Sequence, residues 1–211
     1  MKIGILGSGV VGQTLGIGLM GQGHEVTIGT RDSGKLNEWL LKAGSKASVG
    51  SFYDAAKFGE VIFIATVWTG TENAINLAGK ENFAGKIVVD VTNPLDFSKG
   101  TPAPAVSYPL SASEQIQNWL PAAKVVKAFN IVPAHVQVTP KSLGDADLFI
   151  AGNHKDAKEF VRETAKRWGW SDVIDMGDIK AAYWVEMLGL AVINYGFKHN
   201  DWNFALKLLR K

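Results

Sequence analysis

The chain lacks several features on which common protein activities depend. Its 211 residues include no cysteine, which excludes disulfide bonds, thiolate catalysis and cysteine-ligated metal or iron–sulfur sites. The formal net charge is only +2 and lysine and arginine form no dense run, so we expect neither a nucleic acid nor a membrane surface as a partner. The composition is typical of an ordinary globular protein, and we expect a cytoplasmic location.

Long hydrophobic runs and metal-ligand patterns are scarce as well. The longest apolar stretch, Ala181 to Phe197, contains Glu186 and Asn194 and falls short of a comfortable membrane span. We therefore expect a buried or interfacial helix there. The four histidines are scattered without the spacing of metal ligands, and we predict no metal site. No G-x-S-x-G nucleophile elbow occurs, and we predict no catalytic side chain.

The most informative pattern lies in residues 1–31. A short apolar run with strand character, residues 3–6, leads directly into the sequence Gly7-Ser8-Gly9-Val10-Val11-Gly12, which fits G-x-G-x-x-G. Apolar residues then recur at helical spacing up to a glycine break at 21–23, and Glu25 to Ile28 is expected to form a second strand. A strand, this motif, a helix and a second strand together predict a dinucleotide-binding βαβ unit.

Each glycine of the motif has a physical role in that prediction. Gly7 lets the chain turn sharply out of the strand, and Gly9 lets a pyrophosphate approach the backbone. Gly12 lets the helix pack closely against the sheet. The free N–H groups at the start of the helix, including those of Val10 and Val11, would then face the phosphates.

The end of the second strand favours NADP(H) over NAD(H). NAD sites usually carry an acidic residue about 20 residues after the motif, to bind the ribose 2′-OH. Gly29 takes that place here, and Asp32, the one carboxylate nearby, is assumed to point away. Several hydrogen-bond donors for a 2′-phosphate follow: Thr30, Arg31, Ser33 and Lys35. The alternative, an ordinary solvated loop at Arg31 and Lys35, stays open.

Strand and helix patterns alternate along the rest of the chain. We predict an α/β fold, a doubly wound Rossmann domain with a mainly parallel sheet over 1–178. A C-terminal helical segment, 179–211, would pack on that domain or on a second subunit. Expected strands are 47–49, 60–65, 86–92, 124–130, 147–152 and 172–176. Expected helices are 35–43, 51–58, 111–120, 156–168, one from about 180, and a last docked helix over 200–209.

Polar residues follow three of the predicted strands. Thr66 to Gly70, Asn93-Pro94 and Asn130 each lie at the carboxyl end of a strand, where doubly wound sheets bind ligands. We expect residues 66–70 to be polar and flexible. The long irregular stretch 96–110 is either a functional lid or a surface excursion. Glu186 lies either in the core or in the site.

The assembled chain resembles the family of coenzyme F420-dependent NADP oxidoreductases. The resemblance rests on residues 4–19, GTRD at 29–32, DVTNPL at 90–95, KAFN at 127–130 with Pro133, and HNDWNFALKLLR at 199–210. The N-terminal half is also similar to the NADPH-binding domain of the six-transmembrane metalloreductases.

The resemblance implies NADPH as the cofactor and a flavin-like or deazaflavin acceptor. It places Gly7, Ser8, Gly9, Val10 and Val11 on the dinucleotide, and Thr30, Arg31 and Lys35 around the 2′-phosphate. The nicotinamide side would be lined by Thr66, Val67, Trp68, Asn93 and Pro94. Asn130 to Val132 would approach the acceptor, and a homodimer is expected. The F420-using members carry His-Thr where this chain has Asn130-Ile131, so F420, an ordinary flavin and another acceptor all stay open.

Three hypotheses follow. The first is hydride transfer from NADPH to a flavin-like acceptor, in which the chemistry belongs to the cofactors. It predicts an apolar second pocket over the nicotinamide. The second is a non-catalytic NADP-binding sensor, which predicts no acceptor space. The third is a small imine or ketone reductase, for which Glu186 is the available proton donor on the C-terminal helix.

Overall fold

The computed structural model describes residues 1–98, 100 and 102–210, along which strands and helices alternate. The strands are β1 (Lys2–Leu6), β2 (Glu25–Gly29), β3 (Ala47–Gly50), β4 (Val61–Ile64), β5 (Ile87–Asp90), β6 (Leu95–Asp96), β7 (Ala103–Pro104), β8 (Lys124–Lys127), β9 (Asp147–Gly152) and β10 (Asp172–Asp175). The α-helices are α1 (Val10–Gly21), α2 (Asn37–Ala43), α3 (Phe52–Phe58), α4 (Trp68–Ala78), α5 (Ala112–Trp119), α6 (Ala134–Gln137), α7 (Lys155–Trp168) and α8 (Ala182–His199). Short 3₁₀ segments cover Ser33–Leu36, Lys80–Phe83, Pro140–Leu143 and Ile179–Ala181.

One sheet organises the fold, with the strand order β10-β9-β8-β5-β4-β1-β2-β3. The strands from β3 to β8 in that order are parallel, and their order is that of a Rossmann sheet. The strand order reverses between β1 and β4, so ligands are expected outside the carboxyl ends of these two strands. The predicted fold class is confirmed.

Helices cover both faces of the sheet because the central strands are apolar on both sides. In β4, Val61 and Phe63 belong to one buried cluster, whereas Ile62 and Ile64 belong to the other. A strand buried on both faces reads as a continuous apolar run, which is how residues 60–65 were recognised in the sequence. Among the described residues, no helix combines the length and hydropathy that crossing a bilayer requires.

Strand β9 reverses the direction of the sheet. It pairs antiparallel to β8, with Val126 opposite Gly152, and β10 runs parallel to β9. The starts of β9 and β10, at Asp147 and Asp172, therefore lie at the edge where the other strands end. Helix α8 packs against β9 and α5.

Three local predictions were wrong. Residues 200–209 form no helix, because Asn200 ends α8 in a left-handed conformation and the following backbone bonds to β9 instead of to itself. Residues 68–70 are the first turn of α4, not a flexible loop. Strand β8 stops at Lys127 instead of residue 130, because Phe129 has a φ of +62°.

Candidate functional site: a cleft at the carboxyl edge of the sheet

The turn between β1 and α1 has the geometry that the glycine motif predicts. Gly7 has a φ of +126°, and a Cβ atom there would lie 2.4 Å from the carbonyl oxygen of Ala65. A Cβ atom on Gly12 would lie 2.0 Å from the carbonyl oxygen of Gly7. At Gly9, by contrast, a Cβ atom would meet no atom within 4 Å. Gly9 therefore faces open space at the start of α1, as a backbone cradle for a phosphate must.

A cavity of about 230 Å³, here called the loop cavity, opens beside this turn. The buried Thr30 bridges its two sides, since its hydroxyl donates to the Ser8 hydroxyl at 3.0 Å. Other residues predicted to bind the dinucleotide also line this cavity, and so does Phe52 at the start of α3. The full lining is Gly7, Ser8, Gly9, Thr30, Arg31, Asp32, Lys35, Phe52, Ala65, Thr66, Val67, Gly70 and Asn73.

The charges of the loop cavity suit a phosphate. Arg31 is exposed and, among the described residues, pairs with no carboxylate, so its guanidinium is available to a ligand. Asp32 lines the cavity, but its Oδ1 accepts a hydrogen bond from the N–H of Gly34 at 3.1 Å. Its Oδ2 lies 4.0 Å from the Lys35 ammonium. The carboxylate is thus turned towards its own loop.

A central cavity of about 400 Å³ continues from the loop cavity and shares Ala65, Thr66 and Val67 with it. Thr66 is fixed by its hydroxyl, which lies 2.8 Å from that of Thr71 in α4. The Trp68 ring stacks on Trp119 with ring centroids 5.7 Å apart. The remaining lining residues are Val11, Trp68, Thr69, Val91, Thr92, Asn93, Leu95 and Phe97.

A third cavity of about 340 Å³, here called the tail cavity, shares Val11 and Asn93 with the central one. Its other lining residues are Asn130, Val132, Pro133, Ala134, His135, Val192, Ile193, Trp202 and Phe204. Three adjoining cavities thus line the cleft from the glycine turn to the C-terminal tail.

Asn93 and Asn130 tie the carboxyl ends of β5 and β8 together at this end. The Asn93 amide donates to the Asn130 carbonyl oxygen at 2.9 Å, and the Asn130 amide donates to Asn93 Oδ1 at 3.1 Å. The Asn130 amide also reaches the carbonyl oxygen of Val185 in α8 at 3.1 Å. A Cβ atom on Gly189 would lie 2.4 Å from Asn93 Oδ1, so this glycine lets α8 approach the pair.

The backbone before Asn130 is strained. Phe129 has a left-handed φ of +62°, which is costly for a residue with a large side chain. Its ring packs against Trp168 with centroids 5.1 Å apart, and its carbonyl oxygen accepts from Gln137 Nε2 at 2.9 Å. These contacts stabilise the conformation that turns Asn130 towards Asn93 and α8.

Several predicted site residues lie beside the cavities without lining them. Gly12 is buried beneath Gly7, Pro94 is buried behind the central cavity, and Val10 and Ser33 are exposed at the first positions of their helices. The lining residues of α3, α8 and the tail were missed. Phe52 could have been predicted, because the Ser51 helix cap places it at the start of a helix directly after β3. Trp202 and Phe204 had no such local signal in the sequence.

Glu186 lies in the core. Its side chain is only 1% exposed and accepts hydrogen bonds from the N–H groups of Ala112 and Ser113, at 2.9 and 3.1 Å. Lys127, fully buried, lies 2.7 Å from Asp90 and 3.3 Å from Glu186. Burial raises the pKa of the Glu186 carboxyl above its ordinary value of 4.5, and this effect exceeds the opposing one of Lys127. This buried charge cluster joins β5, β8, α5 and α8.

Three further side chains of types used in catalysis hold other positions. His135 lines the tail cavity, but it is exposed and its Nε2 lies 3.3 Å from Asn203 Oδ1. Tyr53 and Lys57 have Y-x-x-x-K spacing on α3 but line none of the three cavities, and the Lys57 ammonium lies 5.5 Å from the tyrosine ring centroid. Within residues 1–98, 100 and 102–210, no group of three or more His, Asp or Glu side chains could hold a metal ion.

Comparisons with known proteins identify relatives along the whole chain. A family model described as "NADP oxidoreductase coenzyme F420-dependent" matches residues 2–94. A solved structure from Arthrobacter sp. FB24, provisionally described as an F420-dependent NADP reductase, is 40% identical, covers 100% of both chains and has a TM-score of 0.94. The F420-dependent NADP reductase of Methanothermobacter marburgensis is 30% identical over 99% of this chain and 98% of its own.

Metalloreductases share part of this similarity. The metalloreductase STEAP3 of Rattus norvegicus is 34% identical over 91% of this chain, which spans only 37% of that protein. The reductase from Methanothermobacter, in contrast, matches over nearly the full length of both proteins. The chain thus belongs to the family of coenzyme F420-dependent NADP oxidoreductases and is an NADP-dependent oxidoreductase, as its resemblance to that family predicted.

Proposed function

We propose that the protein transfers hydride between NADP(H) and a planar flavin-like or deazaflavin acceptor without a catalytic side chain. The observation that carries this proposal is the row of three adjoining cavities along the cleft. A dinucleotide in the loop and central cavities would have its nicotinamide beside Val11 and Asn93, the two residues shared with the tail cavity. An acceptor ring in the tail cavity could then stack on the nicotinamide.

The loop cavity would hold the phosphates of NADP(H). The open face of Gly9 and the N–H groups at the start of α1 suit the pyrophosphate, because a helix N-terminus favours an anion. The exposed Arg31 guanidinium suits the 2′-phosphate, with Thr30 and Lys35 beside it. Gly29 stands where an NAD site usually has an acidic residue, so this site lacks the carboxylate that would bind the ribose 2′-OH.

The central and tail cavities would position the two rings. When bound, the dihydronicotinamide supplies a hydride, with its electron pair, to the acceptor ring, which takes its proton from solvent. Val11, at the junction of the two cavities, and Val132, in the tail cavity, would shield the rings from water, and Asn93 presents a fixed amide at the junction. The protein thus contributes orientation and desolvation.

Two structural features weigh against the other hypotheses. The sensor hypothesis predicts no space for an acceptor, whereas the tail cavity provides about 340 Å³ next to the central cavity. The imine or ketone reductase hypothesis requires Glu186 as a proton donor, but this carboxyl is buried against Lys127 and the start of α5. Both features argue against these two alternatives, and neither feature favours one of them.

We also propose that the protein forms a homodimer through α8. Trp184 and Tyr195, 55% and 45% exposed, lie with the exposed Ala191 on one face of this helix. A second copy could cover this face. Sedimentation velocity tests the proposal: Trp184→Glu should give a monomer, and a wild-type protein that sediments as a monomer would contradict it.

Stopped-flow oxidation of NADPH, followed at the nicotinamide absorbance band, tests the proposed reaction. F420, FMN, FAD and riboflavin are offered separately. Rapid oxidation with one of them is expected and would identify the acceptor. Tight NADPH binding without oxidation by any of the four would contradict hydride transfer to a flavin-like ring.

A further inference from the structure

We infer that the C-terminal tail, residues 200–210, determines which acceptor the protein takes. In this inference, Trp202 and Phe204 form an aromatic wall of the tail cavity on which an uncharged planar ring stacks. The inference deepens the proposed function and rests on it. The tail lies outside the dinucleotide-binding motif, and the sequence pattern predicted a helix for it.

The tail folds back on helix α8. Asn200, with a φ of +48°, ends the helix and reverses the chain. The Trp202 ring then lies against Gly196, where a Cβ atom would be only 2.7 Å from the indole. Its ring centroid lies 5.2 Å from that of Phe197, at an interplanar angle of 84°. The missing side chain at Gly196 thus creates the place that the indole occupies.

Phe204 is held in a similar way. Its ring packs edge to face against Tyr195, with centroids 5.7 Å apart, and lies 6.2 Å from the Trp202 ring. Asn203 lies between these two aromatic residues in the chain. Its Oδ1 is 3.3 Å from His135 Nε2, and this contact joins the tail to the segment after β8. Both aromatic side chains line the tail cavity. Their positions therefore depend on contacts with α8 and with His135.

The end of the tail is anchored to the sheet. Asp147 is 1% exposed, and its carboxylate accepts from the Lys207 ammonium and from the N–H of Leu208, both at 2.9 Å. The N–H of Asp147 donates to the carbonyl oxygen of Leu206 at 2.8 Å. Arg210 pairs with Asp172 at the start of β10. The reversed strands β9 and β10 bring these two aspartates to the ligand edge, which is why the tail can be held there.

The lining of the tail cavity indicates the class of ligand. Apolar side chains predominate, and the polar lining residues are the uncharged amides Asn93 and Asn130 and the imidazole of His135. Among the described residues, no Asp, Glu, Lys or Arg lines this cavity, and His135 is engaged with Asn203. A charged group would lose its hydration here without a partner, whereas a flat neutral ring can stack on an indole.

Titration of riboflavin into the full-length protein saturated with NADP⁺ tests the inference. Riboflavin has the planar ring system and no phosphate. We expect Trp202→Leu to weaken riboflavin binding about 10- to 30-fold, because stacking and buried apolar area are both lost. The matched variant Trp202→Phe keeps an aromatic face and should lose less than about threefold. Affinity for NADP⁺ should change less than twofold in both variants.

A second pair of variants tests the anchor at a distance from the cavity. Asp147→Asn should weaken riboflavin binding about three- to tenfold, because the neutral amide no longer holds Lys207, and with it the tail, at the start of β9. Asp175→Asn, at the end of β10, removes an ion pair with Lys158 of α7 and should leave riboflavin binding unchanged. Thermal unfolding of each variant in the absence of ligand verifies that it is folded.

The inference is wrong if Trp202→Leu binds riboflavin as tightly as the wild type, or if the wild type does not bind riboflavin at all. Different outcomes test the proposed function and the role of the tail. Riboflavin binding that depends on Trp202, without NADPH oxidation by any acceptor, would support the tail's role and contradict hydride transfer. NADPH oxidation with an unchanged acceptor KM in Trp202→Leu would support hydride transfer and contradict the role of the tail.

Discussion

The loop cavity and the tail cavity lie at opposite ends of one cleft and are assembled in different ways. The loop cavity takes its turn and its phosphate-facing donors from residues 7–35. The tail cavity takes single residues or short runs from positions between Val11 and Phe204. The first is therefore determined mainly by local backbone geometry, and the second by long-range contacts. Variants at each end of the cleft test whether the two cavities depend on these different contacts.

The largest effect is expected in the buried charge cluster that supports the tail cavity. Lys127→Met leaves Asp90 and Glu186 buried without their cation, and we expect the free energy of unfolding to fall by about 3–5 kcal/mol. Urea denaturation measures this change. The control Lys124→Met removes a surface pair with Asp156 and should cost about 0–1 kcal/mol. Equal losses in the two variants would contradict a supporting role for the cluster.

At the other end, Gly9→Val should abolish binding of both NADPH and NADH without unfolding the protein. The open space at Gly9 accommodates the side chain, which then occupies the place of the pyrophosphate. A loss of at least about 100-fold, or ~2.7 kcal/mol, is expected from fluorescence titration. Gly21→Val, at an equally open glycine at the end of α1, is the control and should bind both cofactors normally. Normal binding by Gly9→Val would refute the role of the motif.

Arg31→Ala should separate the two cofactors. Loss of the guanidinium should weaken NADPH binding by about 1.5–3 kcal/mol, the range for a hydrogen bond to a charged group, and leave NADH unaffected. The same titration measures both. Lys42→Ala, which removes an exposed cation from α2, should change neither. If NADPH and NADH lose affinity equally, the arginine does not bind the 2′-phosphate.

The smallest expected effect is a pH dependence of the free energy of unfolding that arises from Glu186 in the buried charge cluster. Because burial raises the pKa of Glu186 in the folded protein, the folded state retains a proton that the unfolded chain has released. The contribution of Glu186 to stability should therefore fall as the pH rises from its ordinary pKa of 4.5 through the raised value. Glu186→Gln should flatten this part of the curve of unfolding free energy against pH. An unchanged slope in the variant would contradict a raised pKa.

The same contrast explains which elements were predicted correctly. Residues 60–65 were recognised as a buried strand because a continuous apolar run is a local signal. Helix α4 was missed because its buried face consists of Thr71, Ala74, Ile75 and Ala78, of which only Ile75 is a large apolar residue. The tail was assigned to a helix because its apolar residues suggested one. Its backbone instead bonds to Asp147, which lies far away in the sequence.

Glu186 illustrates the limit of sequence reasoning within a site. A lone carboxylate in an apolar helix is compatible with catalysis and with a core partner, and only the fold brings Lys127 within 3.3 Å of it. The division into 1–178 and 179–211 and the individual ligand contacts of the site residues stay predictions.

The doubly wound fold, the family and the dinucleotide-binding turn were predictable from the sequence alone. Each depends on residues that are neighbours along the chain, where glycine, capping and periodicity act directly on the backbone. The reversal of β9 and β10, the burial of Glu186 and the approach of Trp202 and Phe204 to the cleft emerge only in the folded chain. These outcomes depend on contacts between distant segments, such as Asp147 with Leu208 and Gly196 with Trp202, whose energies no local pattern encodes.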